Sequence, residues 1–129
     1  MSSAVEEERV SVRMLCVEDS CWSSAFRFRD AMISFFSADC EFYSSIGPNV
    51  YGKLYKGIES VREGLLYFLD ICPNGQWRNI RYFVSGNRGL IEWTFVGTTL
   101  NGANIEVAGC DLITFKDAKI AIEDSYRKN

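Results

Sequence analysis

A chain of 129 residues with 47% apolar and 24% charged residues and a formal net charge of −3 has the make-up of one ordinary soluble domain. It contains no histidine, which excludes Ser-His-Asp and Cys-His triads, HExxH zinc sites and histidine general bases. Without a basic patch, nucleic acid is not expected as a partner, and apolar runs such as Gly64–Leu69 and Ala31–Phe36 are too short to span a membrane.

Met1–Val10 is rich in Ser and Glu and carries no apolar stretch, so no signal peptide is expected. In Glu6–Cys21 apolar residues recur at helical spacing, which predicts a first helix with acidic residues in its opening turns. Arg27–Ser37 places Phe28, Ala31, Met32, Phe35 and Phe36 on one face and predicts a second. Cys40–Ile46 alternates weakly, as a strand does, and Gly47-Pro48-Asn49 turns the chain. Ile58–Ile71 carries Ile58, Val61, Leu65, Phe68 and Leu69 on one face, a third helix stopped at Cys72-Pro73.

The remainder is strand-like. Trp77–Ser85, Leu90–Leu100, Ala103–Phe115 and Lys119–Arg127 are predicted strands, with the hairpin signal Asn101-Gly102 between the second and third. Helices first and a meander last give an α+β fold, and no repeat or linker divides residues 1–129, so a single domain is expected.

Strands alternate faces, and this makes Ala103–Phe115 informative. One face carries Ile105, Val107, Gly109, Asp111, Ile113 and Phe115, with Asp111 its only charge. A carboxylate buried there must be hydrogen-bonded, paired or protonated. It is either a locally satisfied structural acid or a functional site, with Gly109 leaving room beside it. The face of Leu90–Leu100 that joins Asp111 stays open: by apolarity it is Ile91, Trp93 and Phe95, whereas the other choice brings Glu92 and Thr94 into the pocket and leaves the aromatics outside, where they would want a partner subunit. Lys119–Arg127 is similarly divided between Ile120, Ile122, Asp124, Tyr126 and Ala121, Glu123, Ser125, Arg127, and a bulge would shift either assignment. The five cysteines, Cys16, Cys21, Cys40, Cys72 and Cys110, are odd in number and lack CxxC spacing. They fit free thiols in a reducing cytoplasm, and no metal or organic cofactor is expected.

Several segments together resemble a known group. Asp30-Ala31-Met32 through Phe36-Ser37-Ala38-Asp39-Cys40, Tyr55-Lys56-Gly57-Ile58-Glu59-Ser60-Val61-Arg62, and the run from Ile91-Glu92-Trp93 through Gly109-Cys110-Asp111-Leu112-Ile113 to Tyr126 are similar to nuclear transport factor 2-like proteins, the SnoaL-like polyketide cyclase and ketosteroid isomerase group. The resemblance implies a cone: a curved, mostly antiparallel sheet closed by three helices from the first half of the chain, holding a small apolar ligand. It implies Asp111 as a proton-handling or oxyanion-stabilising acid, Glu92 as a second catalytic carboxylate if it lies inward, and Tyr43, Ser45, Thr94, Val107, Gly109, Glu123, Ser125 and Tyr126 as pocket-lining residues. Two departures stand out. By spacing from Ala38-Asp39 the isomerase general base falls near Ser45, which cannot do that work, and no tyrosine stands near Cys21 or Trp22, where the isomerase tyrosine would fall.

Two functions therefore remain open. One is an isomerase-, cyclase- or hydratase-type enzyme acting by acid/base chemistry on a small apolar substrate. The other is a non-catalytic ligand-binding or dimerisation domain of the same fold, paired through its aromatic sheet face. A cytoplasmic homodimer is expected in either case.

Overall fold

The computed structural model describes residues 33–128. Six strands and one helix follow in the order β1 (Phe36–Tyr43), β2 (Leu54–Lys56), α1 (Ile58–Ile71), β3 (Gln76–Ser85), β4 (Arg88–Thr98), β5 (Asn104–Lys116) and β6 (Lys119–Arg127). The expected helix Glu6–Cys21 and most of the expected helix Arg27–Ser37 lie outside the described residues. The end of the second differs: Phe36 and Ser37 already belong to β1. Phe36 pairs with Ile120 of β6 and is 4% exposed, so a cross-sheet contact overrides the helical spacing of its neighbours. The described chain thus holds one helix of the three expected.

The strands form a single sheet in the order β2-β1-β6-β5-β4-β3. β1 and β6 run parallel, and every other pair is antiparallel. β4 and β5 pair without a slip from Arg88↔Thr114 to Thr98↔Asn104, across the Asn101-Gly102 turn. The β5–β6 turn is tighter: Asp117 and Ala118 both have positive φ, 52° and 63°, as a two-residue hairpin matched to strand twist requires. β2 has only three residues, too few to show alternation in the sequence, and pairs with Glu41–Tyr43 of β1.

α1 forms because its apolar residues share a face, with Glu59 in the first turn favouring the helix dipole. It ends where the Cys72 N–H donates to the Phe68 carbonyl and Pro73 follows. The helix packs tightly on β1 and β2 at Gly64, where a Cβ would lie 2.6 Å from the Tyr55 ring and 2.9 Å from the Phe42 ring. Those two rings stack at 5.9 Å.

The core lies between α1 and one face of the sheet. Cys40 and Phe42 of β1, Ile91, Trp93 and Phe95 of β4, Ile113 and Phe115 of β5, and Ile120 of β6 are all buried there with Val61 and Leu66 of α1. This settles both strands whose inward face was ambiguous. In β4 the odd-numbered, apolar face joins Asp111, as the register Ile91↔Asp111 requires. In β6 the inward parity changes along the strand. A register shift between Thr114 and Phe115 sets Phe115 opposite Ile120 and Ile113 opposite Glu123, so Ile120 points inward, and beyond the bulge Glu123 and Ser125 do.

Candidate acid pair on the inner face of the sheet

Asp111 sits in the middle of β5, flanked across the ladders by Ile91 of β4 and Ser125 of β6. Its position follows from strand parity: Val107, Gly109, Asp111 and Ile113 share the face that meets the core. The Trp93 indole Nε1–H donates to Asp111 Oδ1 at 3.2 Å, and the Ser125 hydroxyl also hydrogen-bonds the carboxyl. Burial pushes the Asp111 pKa up from 3.8 to about 6. The bonds from Ser125 and Trp93 pull it back part of the way, and the charge of Asp124 adds a smaller upward push.

Gly109 explains how the indole reaches Asp111. It pairs with Trp93 across the β4–β5 ladder, and a Cβ there would lie 2.5 Å from Trp93 Cη2 and 2.5 Å from the Tyr126 carbonyl oxygen. The space that the sequence suggested for a ligand beside Asp111 is therefore filled by tryptophan. Only glycine lets the ring lie across β5.

Glu123 is the second acid of this face. It stands opposite Ile113 on β5 and Phe42 on β1, and is diagonal to Asp111. It is 2% exposed, and its Oε2 has no hydrogen-bond partner among the described residues. Burial first, and the nearby Asp111 charge second, push its pKa well above the usual 4.5. Two carboxyl groups so close cannot readily ionise together. The pair therefore divides, with Asp111 ionising at the lower pH and Glu123 held towards the neutral acid. The adjoining Cys40 thiol is also pushed up, chiefly by burial, which keeps it protonated and a poor nucleophile.

The other anticipated residues divide between the two faces. Val107 lies inward, opposite Phe95, and packs against the core. Glu92 does not join Asp111: it pairs with Cys110 and projects to the outer face, where Arg81 Nη2 lies 2.8 Å and Arg81 Nε 2.9 Å from Glu92 Oε2. Its side chain is 46% exposed and ion-paired with a guanidinium, so it is not the companion of Asp111 on the inner face. Thr94, opposite Ala108 and Arg78, is also outside. So is Tyr126, which is 51% exposed and donates its hydroxyl to Asp124 Oδ2 at 3.1 Å.

Glu92, Thr94, Cys110 and Tyr126 line a trough of about 770 Å³ that Trp93 and Gly109 also border. Tyr43 and Ser45 border a separate hollow of about 960 Å³ beneath the loop before β2, together with Arg88 and Thr114; Ser125 and Tyr126 also reach its edge. The expected aromatic outer face does not exist, because Trp93 and Phe95 are 5% and 0% exposed in the core. The ground for pairing through it is thereby removed.

Sequence reasoning missed the Trp93–Asp111 bond and ranked Glu123 below Glu92. The first had no signal in the sequence: a two-residue Asn101-Gly102 turn would set Trp93 opposite Cys110, whereas the observed turn has one residue more and sets Trp93 opposite Gly109. The second depended on the bulge in β6, which alternation alone does not locate. No helix among the described residues is long and apolar enough to cross a membrane.

Known structures share this architecture. A phenazine biosynthesis-related protein from Pseudomonas aeruginosa aligns with a TM-score of 0.79 at 16% identity, covering 98% of this chain and 78% of its own. A Xanthomonas campestris pv. campestris protein proposed to be a polyketide cyclase aligns with a TM-score of 0.76 at 18% identity, covering 98% of this chain and 93% of its own. TerC, crystallised with polyporic acid, aligns with a TM-score of 0.69 at 16% identity, covering 97% and 91%. At these identities the likeness is one of fold. No curated protein sequence matches the chain. Residues 23–123 match the SnoaL-like domain, and with the fold and the sheet order described above the chain belongs to that family, within the nuclear transport factor 2-like superfamily.

Proposed function

We propose that the chain performs acid/base chemistry of the isomerase, cyclase or hydratase type on a small, mostly apolar molecule, with Asp111 as the proton-handling group. The observation that carries this reading is the setting of Asp111. It is a carboxyl on an apolar face, raised to about 6 by burial, and held by the Trp93 indole and the Ser125 hydroxyl. A base works best when its pKa lies near the working pH, and Asp111 is ionised yet basic just above its midpoint. It can remove a proton from a carbon next to a carbonyl and return it. TerC, which shares the fold, was co-crystallised with polyporic acid, in keeping with a small-molecule ligand.

The test uses 2-tetralone, an enolisable ketone, in D2O. Exchange of its α-hydrogens is followed by proton NMR for the wild type and Asp111→Asn. The reading expects exchange above the buffer rate, with loss of about a hundredfold or more in the variant.

A second reading is a non-catalytic binding domain. It is favoured by the resemblance, in which the isomerase base falls near Ser45, a residue that cannot do that work, and by the Ser45 Oγ, which is buried without a partner among the described residues. Saturable binding of the ketone with no exchange above buffer would establish that reading in place of the enzymatic one.

A further inference from the structure

Among the described residues, Glu123 is the most buried ionisable side chain whose carboxyl oxygen lacks a partner. The groups that face it are Asp111 from β5 and the Cys40 thiol from β1, and no described salt bridge reaches it. Its ladder neighbours are Ile113 and Phe42, neither of which offers a side-chain hydrogen bond. A buried acid with a free oxygen loses the hydrogen bond it would make to water and gains nothing from the fold in return. A hydrophobic residue there would serve the core better, so the retained carboxyl is suited to a partner that arrives from outside the chain. Burial and the negative Asp111 both favour the neutral form, and a neutral carboxylic acid donates a hydrogen bond.

Building on the reading of Asp111 as the proton-handling group, we infer that Glu123 is a second ligand-contacting acid of the site, and that it recognises an acceptor oxygen, such as a ketone carbonyl, on the molecule whose neighbouring carbon Asp111 addresses. The two acids then divide the work. When Asp111 takes the α-proton, the C–H electron pair becomes the C=C bond of the enolate. The carbonyl π pair moves onto the oxygen, and the Glu123 O–H holds that oxygen by a hydrogen bond. Return of the proton from Asp111 to carbon restores both acids, so no other reactant is consumed.

The experiment compares 2-tetralone with tetralin, which has the same rings without the oxygen, in the wild type, Glu123→Gln and Glu123→Leu. Binding is read from the Trp93 indole N–H resonance, identified as the one lost in Trp93→Phe. The wild type should prefer the ketone by about five- to tenfold, the worth of one hydrogen bond. Glu123→Gln, which still donates, should keep most of that preference, and Glu123→Leu should reduce it below twofold. Chemical denaturation should find Glu123→Leu at least as stable as the wild type, which separates a ligand contact from a structural one.

An unchanged ketone preference in Glu123→Leu, or no preference in the wild type, overturns the inference. α-Hydrogen exchange is scored separately. Exchange that persists in Glu123→Leu with the preference also unchanged rejects Glu123 while Asp111 stands. A Glu123-dependent preference without exchange rejects catalysis while the ligand contact stands.

Discussion

Replacing Asp111 with asparagine removes the charge and keeps the shape, and the structure gives the size of the consequence. The carboxyl rises from an ordinary 3.8 to about 6 on folding, a difference of about two pKa units. At 1.36 kcal/mol per unit this corresponds to about 3 kcal/mol of differential stability between the protonated and ionised forms. The sign follows from the direction. A raised pKa means that the folded state holds its proton more tightly, so the contribution is fully present below pH 3.8 and is lost as pH rises through about 6.

Asparagine pays no such penalty, and its side-chain oxygen can still accept from the Trp93 indole. The variant should therefore resemble the wild type near pH 4 and exceed it in stability at pH 7.5, by on the order of 1–3 kcal/mol. Urea unfolding followed by circular dichroism at several pH values measures this, with the difference between the two proteins cancelling the titration of groups elsewhere. A difference that does not vary between pH 4 and 7.5, or a variant several kcal/mol less stable throughout, would refute the reasoning and make Asp111 a structural acid.

Other perturbations test the arrangement around it. Trp93→Phe removes a donor that favours the ionised form, so the Asp111 midpoint, followed by carboxyl carbon NMR, should move above about 6 by on the order of half a unit to one unit. Gly109→Ala places a Cβ against Trp93 Cη2 and the Tyr126 carbonyl, and should cost about 1–3 kcal/mol in thermal or urea unfolding while shifting the same midpoint upward as the indole is displaced. Arg81→Ala breaks an exposed ion pair on the far face of the sheet. It should change stability by less than about 1 kcal/mol and leave the Asp111 midpoint where it was.

Much of the fold was legible because several elements obey a single local rule. Ile58–Ile71 is a helix with the bounds that its apolar spacing and Cys72-Pro73 stop dictate, and Lys119–Arg127 is a strand as read. The inner face of β4 was legible too, since Ile91, Trp93 and Phe95 outweigh Leu90, Glu92 and Thr94 in apolarity. The family resemblance pointed the other way for Glu92 and Thr94 and the right way for Glu123 and Ser125.

What escaped the sequence depends on partners far along the chain. Phe36 belongs to a strand because Ile120 lies opposite, and Leu54–Lys56 is a strand only because β1 offers an edge. Glu123 reads as a rim carboxylate until the slip at Thr114/Phe115 turns it inward. Asp111 was identifiable as the odd charge on its face, whereas alternation alone did not single out its companion, which is set by a bulge and not by a motif.

The placement of β6 between β1 and β5 has a consequence for how the molecule assembles. Every described strand before β6 can form a hairpin or meander with a near neighbour, but β1 has no partner on that side until Lys119–Arg127 arrives, some eighty residues later. The loop that must close is long, and topologies dominated by such distant pairings reach the native state slowly. A fragment ending after β5 would leave the Phe36 and Phe42 side of the core open and would contain Asp111 without either Ser125 or Glu123. The acid pair is consequently a product of the final docking step, so proton affinity at Asp111 would report, during refolding, the moment at which the two ends of the sheet meet.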